Sequence, residues 1–503
     1  MCGIVVVIGK NSKEKAKKAL NKLVHRGGDS FNIITIDNIS FGFTRLAIND
    51  QRKKGNQPFE FGDYIGLFNA EIYNHKELTK KYKLAHNNKS DCAVILPLYQ
   101  KFKEDIIDYL DGFFSGVIYN KKNKQIMVIK DYLGKKPLFF AYDSNTQYII
   151  SELKILPQIQ YFEIIPKAFS KIENLKVSIV KQYSKSIINK EKSQLKNYLF
   201  QAVKKRIIGI ENMKFGVFLS GGLDSSIVAT LINQMITKKI ILPTQVHYYC
   251  IVDSKSSDFK YINIIKNFLN IKDNSISYIP LPNNERLLEL LKKVVYSTES
   301  TNPSIISNGI GAYLLSKKAK EDGIKVVVTG DGADEVFLGY YHRKDISSKT
   351  NWKQIQQEFI NELYLTELRR IDLACMANSI EIRCPFLDKK VYEIALGLEY
   401  EDLFGQNNNS LNKNILREIF KNELPKKIVN RKKVSFDVGS GLQKKVIKLC
   451  TKANQTEREY LQNIWNIFFA KELSSFYKNT YFYSYPKFDT VIDTRGKKYQ
   501  YEI

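Results

Sequence analysis

The chain has no apolar stretch approaching the roughly 18 residues needed to cross a bilayer, and the run 4–8 is too short for the core of a signal peptide. A cytoplasmic protein without a membrane partner is expected. Its six cysteines, Cys2, Cys92, Cys250, Cys375, Cys384 and Cys450, lie far apart and form no Cys-x-x-Cys pair. That spacing indicates neither a zinc site nor a disulfide framework, so reduced thiols are expected. There is also no dominant basic block, although the formal net charge is +26 and the pI near 9.4. Lysines are spread along the whole length beside abundant Ile and Asn. A coding bias gives that pattern, so no nucleic-acid partner is expected, and the field favours small anions. What the chain does have is size: 503 residues and 58.2 kDa, enough for two or three domains, with 44% hydrophobic residues and 29 Phe beside 30 Tyr.

The most informative stretch is residues 214–230. A run of β-favouring residues from Phe215 to Leu219 meets Ser220-Gly221-Gly222-Leu223-Asp224-Ser225, and Ile227, Val228, Leu231 and Ile232 follow at helical spacing. This predicts a strand, a tight loop and a helix start. Such a loop aims backbone N–H groups and the positive end of a helix at one spot, and glycine lets an anion approach the backbone closely. A phosphate suits it. Asp224 inside so anion-friendly a loop makes sense if the bound group brings a divalent cation that needs an oxygen ligand. The order resembles the pyrophosphate loop of ATP pyrophosphatases. It differs from the loop ending in Gly-Lys-Ser/Thr, where a lysine does the neutralising.

At the front, Cys2 precedes a buried-looking strand, Gly3 to Gly9. Removal of Met1 leaves Cys2 with a free α-amine of pKa about 7.7–8.0, able to act as base for its own thiol. His25-Arg26-Gly27-Gly28-Asp29, Thr44-Arg45-Leu46-Ala47-Ile48-Asn49 and Phe68-Asn69-Ala70-Glu71-Ile72 put polar side chains beside small residues at strand ends. Ser90-Asp91-Cys92 places an acid at a helix start. Together these resemble the glutaminase domain of class II glutamine amidotransferases over residues 1–190. The resemblance implies that Cys2 is the nucleophile, that Arg45 holds the carboxylate of glutamine and Asp91 its ammonium, and that Asn69 with the N–H of Ala70 forms the oxyanion hole. By the same resemblance Leu46, Ala47, Ile48, Asn49 and Glu71 are expected to complete the glutamine site. The family has Gly where this chain has Ala70, and Pro where it has Gly28. A methyl at position 70 crowds the ligand if that residue needs a positive φ.

Short β-prone runs at 113–119, 125–130, 131–137, 138–141 and 148–151 fill the rest of this half, with a last ribbon over 166–183 and a polar linker over 184–194. The resemblance implies a four-layer αββα sandwich of the N-terminal-nucleophile type. From Leu195 the pattern turns helical, with Leu199, Val203 and Ile207 on one face. Strand 244–252 and helix 259–270 then continue an alternation that argues a doubly wound parallel sheet, and the resemblance to ATP pyrophosphatases implies its adenine-nucleotide α-hydrolase-like form over residues 195–503. Ile251 and Val252, ending a strand beside the loop, are expected walls for adenine.

Residues 325–341 bring Thr329-Gly330-Asp331-Gly332-Ala333-Asp334-Glu335, three acids in a small-residue turn that require a cation or basic partners. The stretch resembles the second signature of asparagine synthetases. By that match Leu219, Ser220, Gly221, Gly222, Ser225, Thr329 and Gly330 bind ATP, and Asp224 and Asp334 hold Mg²⁺. Asp331 stands for a family glutamate used in forming or aminating the adenylated substrate, on a stem one methylene shorter. Glu381-Ile382-Arg383-Cys384-Pro385-Phe386-Leu387-Asp388 and Asn430 to Phe436 also match the family. The second match assigns Lys433 to the departing pyrophosphate, while Glu381 and Arg383 read equally well as a structural ion pair. The resemblance implies an ATP-dependent, glutamine-hydrolysing ligase with glutamine, aspartate and ATP as substrates, and it suggests a homodimer. Between Thr298 and Leu315 there is no basic residue to hold the acceptor's α-carboxylate, although Asn302-Pro303-Ser304 is close to the Asp-Pro-Ser of other asparagine synthetases. An amide-forming enzyme acting on another carboxylate, or a non-catalytic basic binding protein, are the alternatives. Residues 451–503 start helical and become Tyr-rich, with no function assigned.

Overall fold

The computed structural model describes residues 2–86, 88–159, 161–184, 191–253, 256–341, 352–407, 410–469, 491–492 and 498–499. Its layout follows from side chains that alternate along the first strand, β1 (Cys2–Gly9). Ile4 and Val6 point to one face and Val5 and Val7 to the other, and all four are fully buried. A strand buried on both faces must lie between two layers. Ile4 and Val6 join Phe41, Phe43, Ile65, Leu67, Val117 and Val128 in a core between two sheets. Val5 and Val7 instead pack with Ala16, Ala19 and Leu20 of helix α1 (Ser12–Asn21).

The first sheet has the order β10-β8-β9-β1-β3-β2, with β2 (Ser30–Ile36), β3 (Ile39–Arg45), β8 (Phe139–Tyr142), β9 (Thr146–Ile150) and β10 (Tyr161–Ile164). The second runs β12-β11-β7-β6-β5-β4, with β4 (Phe59–Phe61), β5 (Tyr64–Ile72), β6 (Gly112–Asn120), β7 (Gln125–Lys130), β11 (Ala168–Glu173) and β12 (Lys176–Gln182). Its outer face, Phe68, Phe114 and Ile118, is covered through Leu78, Leu96 and Leu98 by helices α2 (His75–Tyr82) and α3 (Ile95–Phe102). This is the expected helix–sheet–sheet–helix sandwich. One expected strand is absent: residues 131–137 form a turn. The Asp131 carboxylate accepts from the N–H groups of Phe114, Leu133 and Lys135, and Gly134 takes φ +70°. Local hydrogen bonding to a buried acid overrides the β propensity there.

In the second half, β13 (Phe215–Phe218), β14 (Val246–Val252), β15 (Ile276–Pro280), β16 (Val326–Val328) and β17 (Glu381–Arg383) form a parallel sheet of order β15-β14-β13-β16-β17. Strand order reverses between β13 and β16, so the loops leaving their carboxyl ends face one crevice. Helix α4 (Leu195–Arg206) buries Leu195, Leu199 and Val203 as expected. Then come α5 (Leu223–Thr237), α6 (Ser257–Phe268, two residues earlier than expected), α7 (Asn284–Thr298), α8 (Pro303–Glu321), α9 (Ala333–Val336) and α10 (Glu367–Met376). Residues 185–190, within the expected linker, and most of the Tyr-rich tail lie outside the described residues. Among the described residues no helix is long and apolar enough to cross a membrane.

The two halves share one core, in which Tyr73, Phe113 and Leu133 join Phe386 and Leu387. Buried polar contacts lock it: Lys135 Nζ donates to the Ile382 carbonyl at 2.6 Å, and Tyr132 Oη to the Leu387 carbonyl at 2.7 Å. The fully buried Arg26 guanidinium contacts Glu152 at 2.5 Å and Asp372, on α10, at 3.0 Å.

Candidate active site

Antiparallel pairing of β1 with β3 puts Cys2 opposite Arg45. A narrow cleft there is lined by Cys2, Arg45, Leu46, Ile48, Asn49, Ala70, Glu71 and Asp91, so eight of the expected glutamine-site residues converge. Asn69 meets the nucleophile directly, its Oδ1 accepting from the backbone N of Cys2 at 3.0 Å. That nitrogen becomes the α-amine once Met1 is gone. Asn69 Nδ2 is buried with no hydrogen-bond partner among the described residues, a donor held ready for an anionic oxygen. Ala47 does not line the cleft; its N–H donates to Asp29 Oδ2.

Arg45 donates through Nη1 to the Arg52 carbonyl and to Asn56 Oδ1, both at 2.9 Å. Asp91 accepts from the Ile72 N–H at 2.7 Å and from Asn49 Nδ2 at 2.9 Å, so it braces the cleft rather than capping a helix. Ala70 lies in extended strand β5 opposite Phe114 and is not among the residues with positive φ. The conformation that would have demanded glycine is therefore not used. Burial raises the Cys2 thiol above its ordinary pKa, so its proton needs a base close by.

The sequence did not place Glu381 in this cleft, yet it lines it from the other half of the chain. Glu381 accepts from Arg383 Nε at 2.7 Å, and Arg383 Nη2 meets Glu71 at 2.8 Å. The Glu381–Arg383 pair is thus both structural and part of the cleft wall. Burial pushes Glu71 up to about 8 despite the pull of Arg383, with Asp91 and Glu381 adding repulsion.

The crevice at the β13/β16 switch holds the second site, a cavity of about 180 Å³. Its lining includes Leu219, Ser220, Gly222, Asp224, Ser225, Thr329, Gly330, Asp331 and Asp334, as expected from the two loops, and Lys433, as expected from the stretch 430–436. Gly221 sits just behind, at φ +70°, where a Cβ would lie 2.7 Å from the Ile262 backbone N. Only glycine fits that corner. Val252 ends β14 without lining the cavity.

Asp224 and Asp334, 110 residues apart in sequence, converge on one ammonium. Lys413 Nζ donates to Asp224 at 2.6 and 2.8 Å and to Asp334 at 2.7 Å, with its side chain 1% exposed. Lys433 pairs with the other Asp334 oxygen. Burial alone would raise Asp334, but these two lysines hold it well below the usual carboxylate range. Two carboxylates that share one cation offer the hard oxygens a Mg²⁺ ion takes when phosphates supply the rest, so this donor set fits the metal. Lys413 has no motif around it and was missed. Arg370 was also missed; it lines the same cavity from α10, and its Nη2 donates to Asp331 at 2.6 Å. The shorter stem of Asp331 is thereby held in place.

An N-terminal cysteine in a two-sheet sandwich, fused to a parallel-sheet domain with a pyrophosphate loop at its switch point, defines a glutamine amidotransferase joined to a nucleotide-using synthetase. Residues 1–204 match the glutamine amidotransferase domain family, and residues 194–366 and 344–477 match the asparagine synthase family. The chain belongs to the asparagine synthase family. It is 30% identical over 470 residues to asparagine synthetase B [glutamine-hydrolyzing] of Escherichia coli K12, covering 88% of this chain and 83% of that protein. The glutamine-hydrolyzing asparagine synthetase of Sandersonia aurantiaca is 31% identical over 466 residues, covering 88% and 87%, and that of Bos taurus 29% over 484, covering 87% and 84%.

Proposed function

We propose that this chain is a glutamine-hydrolysing asparagine synthetase, with a glutaminase domain over residues 1–190 and a synthetase domain over 195–503. The observation that carries the reading is the position of β17. Its first residue, Glu381, lines the Cys2 cleft, and at its far end the Arg383 carbonyl accepts from the N–H of Thr329, which lines the nucleotide cavity. Three residues of extended chain span only about 10 Å. One short strand that borders both cavities supports coupled rather than independent chemistry.

In the first half, the α-amine of Cys2 takes the thiol proton and the sulfur attacks the glutamine amide carbon. Asn69 Nδ2 steadies the oxyanion, ammonia leaves, and water frees glutamate from the thioester. Arg45 and Asp91 hold the two charged ends of glutamine. In the second half, a side-chain carboxylate oxygen of aspartate attacks the α-phosphorus of ATP, and the bond to the pyrophosphate oxygen breaks. Ammonia then attacks the acyl carbon; AMP departs and the nitrogen loses one proton. Activation is needed because a carboxylate is a poor electrophile. Delivery inside the protein gives ammonia a high effective concentration. Lys433 steadies the departing pyrophosphate, and Asp331, fixed by Arg370, faces the reacting acid. Asp224 and Asp334 would hold Mg²⁺, which neutralises phosphate charge when bound.

The test is pyrophosphate release by purified protein with ATP, Mg²⁺ and glutamine, adding one candidate acid at a time. Release with aspartate, and its loss in Asp224→Ala, is the expected result. Cys2→Ala should abolish the use of glutamine while ammonia still drives synthesis. Silence with every acid, or loss of both nitrogen sources in Cys2→Ala, would overturn the reading.

A further inference from the structure

Glu381 is not the only part of the second half that bears on the Cys2 cleft. Helix α4 ends at Arg206, and the last carbonyls of a helix lack partners within it. The Arg383 guanidinium takes up two carbonyls there: Nη1 donates to that of Arg206 at 2.7 Å and to that of Ile208 at 2.9 Å. The same side chain, 1% exposed, meets Glu381 through Nε and Glu71 through Nη2. One planar fork thus ties the turn after α4 to a wall residue of the glutamine cleft.

Gly209 lies in that turn at φ +81°, and it packs so closely on Asn49 that an added Cβ would fall on Asn49 Oδ1. That oxygen is buried with no hydrogen-bond partner among the described residues, so the glycine, rather than a donor, covers this end of the amide. The other end, Nδ2, donates to Glu71 Oε1 at 3.1 Å and to Asp91 Oδ1 at 2.9 Å. Asn49, Glu71 and Asp91 all line the cleft. Hydrogen bonds weaken steeply once misaligned, so a displaced amide would release both acids.

We propose that Gly209 and Arg383, both in the synthetase half, are positioning residues for glutamine: Arg383 fixes Glu71 and the turn 207–210, and Gly209 on that turn seats the Asn49 amide that holds Glu71 and Asp91. Neither residue acts on the substrate directly; each works through Asn49 or Glu71. This rests on the glutaminase reading above and deepens it, because the glutamine site is then complete only when the turn after α4 and strand β17 are docked against it.

The experiment measures glutamate release from glutamine, and ammonia-driven pyrophosphate release, on full-length variants. Gly209→Ala pushes the Asn49 amide off its two acids, so the glutamine KM should rise roughly 10-fold, the lower end for a lost hydrogen bond to a charged group. The glutaminase kcat should stay within about two-fold, because binding lost equally in ground and transition states raises KM alone. Ammonia-driven synthesis should be unchanged. In an Asn49→Ala background, adding Gly209→Ala should move the glutamine KM by less than about two-fold, since nothing is left for it to act through, whereas a general loosening would add in full. Arg383→Lys is the second route, free of φ strain: one ammonium cannot span two carbonyls and two carboxylates, so the glutamine KM should rise there too. Melting temperature checks that each variant is folded. An unchanged glutamine KM in either folded single variant, or the full rise in the Asn49→Ala background, overturns the assignment while leaving the glutaminase reading intact. A wild-type protein that releases no glutamate from glutamine overturns both.

Discussion

Replacing Lys413 by Met tests the nucleotide site without any substrate present. The ammonium lies 2.6–2.8 Å from both Asp224 and Asp334, whose side chains are only 13% and 14% exposed. Taking it away leaves two converging carboxylates with Lys433 as the remaining direct cation partner of Asp334 among the described residues. Breaking a buried pair by deleting one partner costs about 3–5 kcal/mol. At about 2–4 °C per kcal/mol for a large domain, the synthetase transition should fall by on the order of 10 °C. The second arm is the diagnostic one. Mg²⁺ alone, without nucleotide, should barely move the wild-type transition, because Lys413 already fills the gap. In Lys413→Met the same ion should restore stability, by about 1.4 kcal/mol at ten times its dissociation constant. Differential scanning calorimetry across a Mg²⁺ titration reads both arms. A variant that melts with the wild type, or one indifferent to Mg²⁺, would refute the idea that the two aspartates form a cation site with lysine as its resident charge.

Asn69→Ala should cost about 2.7–4 kcal/mol in the glutaminase transition state, the usual loss for one oxyanion donor, while ammonia-driven pyrophosphate release persists. Steady-state glutaminase rates equal to the wild type would remove Asn69 from the oxyanion hole. Gly221→Ala forces a methyl to within 2.7 Å of the Ile262 N at φ +70°, so it should cost about 1–2 kcal/mol in backbone strain alone and weaken ATP binding, read by titration calorimetry. Glu152 gives a pH signature. Burial would raise its pKa, but His25, Lys154 and Arg26 hold it well below the ordinary glutamate value. Its stabilising contribution is therefore complete above about pH 4.3 and is lost as pH falls through the depressed folded value. Acid unfolding of Glu152→Gln should lack that component, and a variant with an unaltered acid limb would contradict it.

Where local chemistry sets the structure, the sequence was readable. A β run that meets Ser-Gly-Gly and then apolar residues at helical spacing can hardly be anything but strand, loop and helix, and both nucleotide loops fall where their motifs place them. The αββα layering followed from resemblance, and the alternation along β1 supplies its physical cause. The stretch 131–137 misled because a buried aspartate offers three backbone N–H groups a better partner than a strand would, and side-chain capture of that kind leaves little trace in propensity.

The chain's own order of residues thus singled out Cys2, the glycine-rich loop at 220–225 and the acids Asp224 and Asp334 as candidates, because each stands in a short motif legible from neighbours within a few positions. Tertiary structure alone decided that Lys413 sits between Asp224 and Asp334, that Arg370 reaches Asp331, and that Glu381 from the second half walls the cleft of Cys2. Those contacts join residues 39 to 189 positions apart, and farther still for Glu381. They exist because parallel strands and helices are stacked by a shared hydrophobic core, and no spacing rule along the chain encodes which distant side chains that stacking brings together.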